Sequence, residues 1–394
     1  MILNKKAVAL GENRSCIREI FEYANVRRGE IGEENVFDFS LGNPSIPAPQ
    51  TVKESLISLL EGDSVSVHGY TSAQGSKALR EKIKEHVFKS HGFECDENLI
   101  YITCGAAAGL TATLGAILNE GDEVVVFAPF FPEYRVFVEG AGGVLKVVEC
   151  TPPDFKPPLE KLKGAITKRT KAVILNSPNN PTGAVVSKDE LTELCEILEN
   201  AENTIFLISD EPYRELCYDK PVPFVPNFYK NTVVCYSFSK SLSLPGERIG
   251  YVLISPECEC AKSLFAGVCG AARERGFVCA PSLFQHLITR VLGEVADVSK
   301  YKKNRDLLTS GLLKIGYEIT QPDGAFYLFV KSLEPDAKAF CETAKKFELM
   351  LVPSDDFGVS GWVRIAYCVK EDTIIRALPK FEALFKEYEE KKNG

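Results

Sequence analysis

Histidine is scarce in this 394-residue chain, with four residues against thirteen cysteines. The cysteines are scattered from Cys16 to Cys368, none forms a C-x-x-C pair, and only Cys258-x-Cys260 is tight. A zinc site of ordinary ligand spacing therefore cannot be assembled from neighbours, and no metal is expected. An odd number of cysteines without a secretory leader argues against a disulfide framework and for free thiols in a reducing compartment. Residues 1–15 carry charges throughout and no apolar core of signal-peptide length. No window approaches the roughly eighteen apolar residues that would span a bilayer. Basic residues are also outnumbered: 46 Lys and Arg against 54 Asp and Glu leave a formal net charge of −8. Such a chain does not grip nucleic acid or an anionic membrane through its general field. There is no internal repeat and no Gly/Ser linker. The expectation is a cytoplasmic protein with small-molecule partners, no nucleic acid and no membrane.

What is present is ordinary globular composition, 45% hydrophobic and 25% charged, at a length suited to two or three domains, or to one large and one small. Short β-rich runs at 99–104, 123–127, 144–149, 172–176, 205–209, 232–237 and 249–254 alternate with amphipathic stretches. Several are continuous apolar runs, as strands covered on both faces require. In 187–200, Leu191, Leu194, Cys195 and Leu198 recur at helical spacing, and Ser187-x-x-Glu190 reads as a capping box. Thr51-x-x-Glu54 and Ser282-x-x-Gln285 repeat that start signal. The pattern predicts an α/β fold with a mostly parallel sheet. Beyond it, one long helix over 281–313 leads to β-rich pieces at 324–330 and 362–367, with helices at 336–347 and 371–391. That predicts a smaller α+β unit.

Four motifs carry chemistry. Ser237-Phe238-Ser239-Lys240 follows an apolar strand and precedes Gly246-Glu247-Arg248-Ile249-Gly250. Two hydroxyls and a guanidinium converging on one point suit a phosphate dianion, and a desolvated lysine near cations has a lowered pKa and can form a Schiff base. Asn176-Ser177-Pro178-Asn179-Asn180-Pro181-Thr182-Gly183 ends a second strand, where a plain turn is the alternative. Asp210 and Tyr213, in Ser209-Asp210-Glu211-Pro212-Tyr213, stand at the mouth of a third, where open α/β sheets bind ligands; a helix cap is the alternative. Thr103-Cys104-Gly105-Ala106-Ala107-Ala108-Gly109 runs a fourth strand into a helix whose bare N-terminus offers N–H groups to phosphate. It lacks the G-x-G-x-x-G and P-loop spacings.

Together these motifs resemble the class I/II aminotransferases, the fold-type I pyridoxal-phosphate enzymes, over nearly the whole chain. The resemblance implies a large cofactor domain with a mostly parallel seven-stranded sheet flanked by helices, over 49–285. It implies a small α+β domain from 1–48 and 286–394. It makes Lys240 the Schiff-base lysine and proton shuttle, and Asp210 the partner of the pyridine nitrogen. Tyr213 and Asn180 would bond the cofactor's phenolic oxygen. Ser237, Ser239, Arg248 and the N–H groups of Gly105, Ala106 and Ala107 would form the phosphate cup. Phe131, in Pro129-Phe130-Phe131-Pro132-Glu133-Tyr134, would stack on the ring, with a core phenylalanine as the alternative.

Arg364, a charge between apolar neighbours in Trp362-Val363-Arg364-Ile365-Ala366, matches the arginine that grips the substrate α-carboxylate. A charged residue in such a strand needs a partner. By the same resemblance Gly42 and Asn43 would belong to an N-terminal loop that closes over the substrate, with Asn180 as a further substrate contact. Tyr70 matches a tyrosine that reaches a neighbouring subunit's phosphate, which implies a homodimer with composite sites. The expected reaction is ping-pong amino transfer between an L-amino acid (aspartate or another) and 2-oxoglutarate. A carbon–sulfur β-lyase on the same scaffold is the alternative. Some dicarboxylate-specific relatives carry a lysine where this chain has Ala107, so a distal carboxylate must be read elsewhere; Arg273 and Arg275 are candidates.

Overall fold

The computed structural model describes residues 2–12 and 15–393. Its strands, in chain order, are β1 (Phe37–Asp38), β2 (Ile100–Thr103), β3 (Glu123–Ala128), β4 (Val144–Glu149), β5 (Thr170–Asn176) and β6 (Phe206–Glu211), followed by β7 (Thr232–Ser237), β8 (Gly250–Ile254), β9 (Tyr327–Lys331), β10 (Leu349–Met350), β11 (Val352–Pro353) and β12 (Trp362–Ala366). The seven strands β2 to β8 form one sheet in the order β2-β8-β7-β6-β5-β3-β4. β3 to β7 pair in parallel, and only β8 runs against its two neighbours.

Strand alternation explains why this sheet is buried on both faces. Val124, Val126, Ala172, Ile174, Ile208, Val233, Cys235, Val252 and Ile254 share one core, beneath the helices Ala106–Ile117 and Ala261–Glu274. The residues between them point the other way. Val125, Val173 and Leu207 meet the helix Lys188–Glu199, while Ile100, Val234 and Leu253 meet Lys77–His91 and Ser282–Val291. The expected capping box is formed, with Ser187 and Glu190 each bonding the other's backbone N–H.

A second core surrounds the antiparallel sheet β11-β12-β9 and the helices Ser299–Ile315, Ala337–Lys345 and Glu371–Asn393. A short parallel pair, β1 with β10, ties the segment near residue 38 to this part.

Four local expectations are corrected. The helix Gln50–Leu60 begins after Pro49 with no side-chain cap, so Thr51 is not a capping residue. Ser282 does not cap either: Gln285 donates to Thr71 Oγ1 and accepts from the Ser76 N–H instead. The long helix over 281–313 is two helices, Ser282–Val291 and Ser299–Ile315. Between them Gly293 takes φ +96 and the Ala296 N–H leaves to bond Ser241 O at 2.7 Å. The β-rich stretch at 324–330 also starts late, because the Gly324 and Ala325 N–H groups are held by Gly183 O and Leu216 O.

Candidate active site

Because β3 to β7 are parallel and β2 runs with them, their carboxyl ends meet at one edge. Asn176, Asp210 and Ser237 are side by side there, and the β2 end enters the helix Ala106–Ile117. This is where an open α/β sheet leaves room for a ligand.

At one end of the cleft, Ser237 Oγ lies 2.8 Å from Ser239 Oγ, and Arg248 donates to Ser239 Oγ at 3.4 Å. Gly105 precedes the helix at φ +80, and a Cβ there would stand 2.8 Å from the Arg248 guanidinium. Only glycine supplies both that backbone and that closeness. No side chain caps this helix, so its first N–H groups, around Gly105, Ala106 and Ala107, are open to an anion. Ser237, Ser239 and Arg248 are thus brought to the same corner as the helix start.

Lys240 sits on the one-turn helix Phe238–Ser241 directly above Ser237. Its Nζ donates to Gly42 O at 2.7 Å and lies 5.4 Å from the centre of the Phe326 ring. Desolvation, reinforced by Arg248 and Arg364, lowers its pKa to about 8. Gly42 is fixed by close approach: a Cβ would overlap the Tyr327 hydroxyl. Asn43 is exposed next to it.

Asp210 is buried, and burial raises its pKa to about 7 against the opposing hydrogen bond from Tyr134. Tyr134 donates to Oδ2, while Oδ1 has no partner. Phe131 is partly buried and meets the Tyr134 ring edge-on at 5.7 Å. Tyr213 is buried with its hydroxyl 3.1 Å from that of Tyr327.

At the other end Arg364, on β12, is 2% exposed. Its Nη1 donates to Asn180 Oδ1 at 3.1 Å, its Nη2 donates to Ser40 O, and its Nε has no partner. The guanidinium lies over the Tyr327 ring at 4.5 Å and the Phe357 ring at 5.2 Å. Asn180 is itself aligned by its N–H bond to Asn176 Oδ1.

One residue stays outside this assembly: Tyr70 is 98% exposed. Neither candidate for a distal carboxylate is in the cleft of the single chain. Arg275 lies against Gly115 and pairs with Glu274, and Arg273 is exposed. Sequence reasoning missed Tyr134, Tyr327 and Ser40. Tyr134 lies one turn past Phe131 in the same motif, so its spacing was available as a signal; Ser40 acts through its backbone and left none.

Asp210 Oδ1 and Arg364 Nε, both buried and without a partner among the described residues, have opposite needs: one wants a cation or N–H, the other an anion. With an anion corner at Arg248 and a lysine of lowered pKa between them, the residues fit pyridoxal phosphate.

Comparison with known proteins agrees. Residues 34–381 match the family model "Aminotransferase class I and II". A relative named probable aspartate aminotransferase, from Methanocaldococcus jannaschii, is 32% identical over 94% of this chain and 97% of its own. A crystal structure of an amino transferase from Eubacterium rectale is 49% identical, with a TM-score of 0.96 over 98% of this chain and 99% of the other. The aspartate aminotransferase from Thermus thermophilus with maleate is 28% identical, with a TM-score of 0.86 over 98% of this chain and 100% of its own. The chain belongs to the class I and II aminotransferases and is a pyridoxal-phosphate-dependent aminotransferase.

Proposed function

We propose that the chain exchanges the amino group of aspartate or another L-amino acid with 2-oxoglutarate, in two half-reactions at this one site. The observation that carries this reading is Arg364. It is a buried cation whose acceptors are neutral and whose Nε is free, and such a charge calls for an anion. An α-carboxylate answers that need bidentately and exchanges for one neutral contact.

When bound, pyridoxal phosphate supplies an aldehyde that condenses with amines and a ring that takes up the electron pair released at the substrate Cα. Ser237, Ser239, Arg248 and the N–H groups of Gly105, Ala106 and Ala107 would hold its phosphate. Phe131 would cover the ring face, Tyr213 and Asn180 would bond the phenolic oxygen, and Asp210 would take the ring N–H. Lys240 Nζ would hold the cofactor through its aldehyde and, once a substrate amine takes that place, would serve as the base for the proton on the substrate Cα. Gly42 and Asn43 close over the substrate and keep water out. Acid–base work by Lys240 is worth about 10² to 10⁴ in rate.

The same reading divides the chain into 49–285 and 1–48 with 286–394. Clustering around two different sheets supports two units, although Leu287, Ile288 and Val291, beyond 285, pack with the large one and Ala296 with the small. A homodimer in which Tyr70 reaches the partner's phosphate is supported by the full exposure of Tyr70. Exposed Phe277 and Val278 support it too, because the Cys279 thiol beside them bonds Thr71 O at 3.4 Å. A cytoplasmic location is supported by thirteen free thiols. Among the described residues no helix is long and apolar enough to cross a membrane.

The test is spectroscopic. Aspartate added to the cofactor-loaded protein without acceptor should abolish the visible band and yield one equivalent of 2-oxo acid; 2-oxoglutarate should then restore the band. Continuous release of ammonia without an acceptor would overturn the reading, as would full turnover by Lys240→Ala.

A further inference from the structure

Asp210 has two oxygens with different surroundings, and the difference is created by one side chain. Tyr134, on the helix Glu133–Gly140, is 2% exposed, and its hydroxyl donates to Oδ2. The same ring packs edge-on against Phe131 at 5.7 Å and 85°. Asn176 Nδ2 holds the Asp210 backbone carbonyl at 3.0 Å, and Cys235, on β7, is the strand partner of Asp210. Neither bonds an Asp210 side-chain oxygen. The adjacent carboxylate, Glu211, is bonded to Ser209 and Arg214 instead. Among the described residues nothing bonds Oδ1, so it is the Asp210 oxygen left open.

We propose that Tyr134 is a positioning residue for the ring-nitrogen contact: by occupying Oδ2 it fixes the Asp210 carboxylate plane and presents Oδ1 alone to the cofactor's N–H. This rests on the assignment of Asp210 to the ring nitrogen. A carboxylate buried at the end of a strand costs free energy unless hydrogen-bonded, and a hydroxyl donor stabilises its charged form. Tyr134 is suited to be that donor at every working pH, because burial and the neighbouring carboxylate hold its own pKa well above the ordinary tyrosine value. Its contact with Phe131 links the residue at the ring face to the residue at the ring nitrogen, so one side chain sets both.

The test compares binding of two probes to the cofactor-free protein: pyridoxal phosphate and its 1-deaza analogue, in which a C–H replaces the ring nitrogen. Wild type should prefer pyridoxal phosphate. Tyr134→Phe, which keeps the ring against Phe131, should weaken that preference about tenfold to a hundredfold, the scale of one hydrogen bond to a charge. Affinity for the analogue should hardly change, and Tyr134→His, which restores a donor, should recover much of the preference. Equal loss for both probes in Tyr134→Phe would reduce the tyrosine to packing and overturn the inference, as would a histidine variant no better than phenylalanine. If Tyr134→Phe does not fold by thermal melting, the histidine variant decides: a preference within a few fold of wild type upholds the inference, and its loss overturns it. If wild type itself shows no preference, the failure lies with the Asp210 assignment and not with Tyr134.

Discussion

The two ends of the cleft bind anions by opposite means. At the phosphate end the donors are several, local in sequence and partly open to water: Ser237, Ser239 and the exposed Arg248 lie within a dozen residues, beside one helix start. At the carboxylate end a single guanidinium is buried on β12, and its contacts come from Ser40, Asn180 and Tyr327, which are far apart in the chain. Many shared donors tolerate the loss of one. A lone buried charge does not.

The sharpest way to break this contrast is Arg364→Leu. It should lower kcat/KM by roughly a hundredfold or more, in line with about 2–5 kcal/mol for a buried charge pair, while cofactor affinity stays near wild type. Equal damage to cofactor binding would mean that the two ends are not separate. Arg248→Ala is the counterpart. Removing one charge-assisted donor of several should weaken cofactor binding about tenfold to a hundredfold, and saturating cofactor should restore most of kcat.

The smallest effect is one of pH, and it concerns the groups between the two ends. In the cofactor-free protein Asp210 is raised from 3.8 to about 7, so the folded state binds the extra proton and Asp210's contribution falls as pH rises across that window. Lys240 is lowered from 10.5 to about 8, so the unfolded chain binds the extra proton above 8 and stability rises from there towards 10.5. Both penalties are in full force between about pH 7 and 8. Relative to the double variant Asp210→Asn, Lys240→Met, the cofactor-free wild type should be least stable in that window, with slopes up to about 1.4 kcal/mol per pH unit on either side. Denaturant titrations at several pH values measure it; a difference independent of pH would show that the two groups are not buried as described. Cofactor should fill in the minimum.

The contrast also explains what the sequence disclosed. The phosphate end was legible because its parts are contiguous, and the sheet because each strand is an unbroken apolar run between turns. Lys240, Asp210 and Asn180 fall at strand ends for the same reason. Arg364 was legible as a charge out of place. Tyr327 was not, because a buried tyrosine reads as core until its hydroxyl's partner is known; Tyr134 was passed over although its spacing from Phe131 offered a signal. The helices Lys5–Glu12 and Cys16–Ile31 went unread: the first buries nothing, and the second, although Ile17, Ile20, Phe21 and Ala24 recur at helical spacing, buries only Ile20 and Ala24. Gln285 failed as a cap because tertiary partners at Thr71 and Ser76 outbid its own helix start. The break at 292–298 was set by Ser241, half a hundred residues away.

The antiparallel course of β8 has a last consequence. A parallel strand after β7 would carry the chain across the sheet and begin at the opposite edge. By turning straight back, the segment between Ser237 and Gly250 never leaves the cleft, and its span acts as a ruler: lysine at one mark, arginine at another, both measured from the same sheet edge. Residues inserted in this segment would move the two marks apart without touching either side chain. Its length is therefore as much a part of the chemistry as its composition.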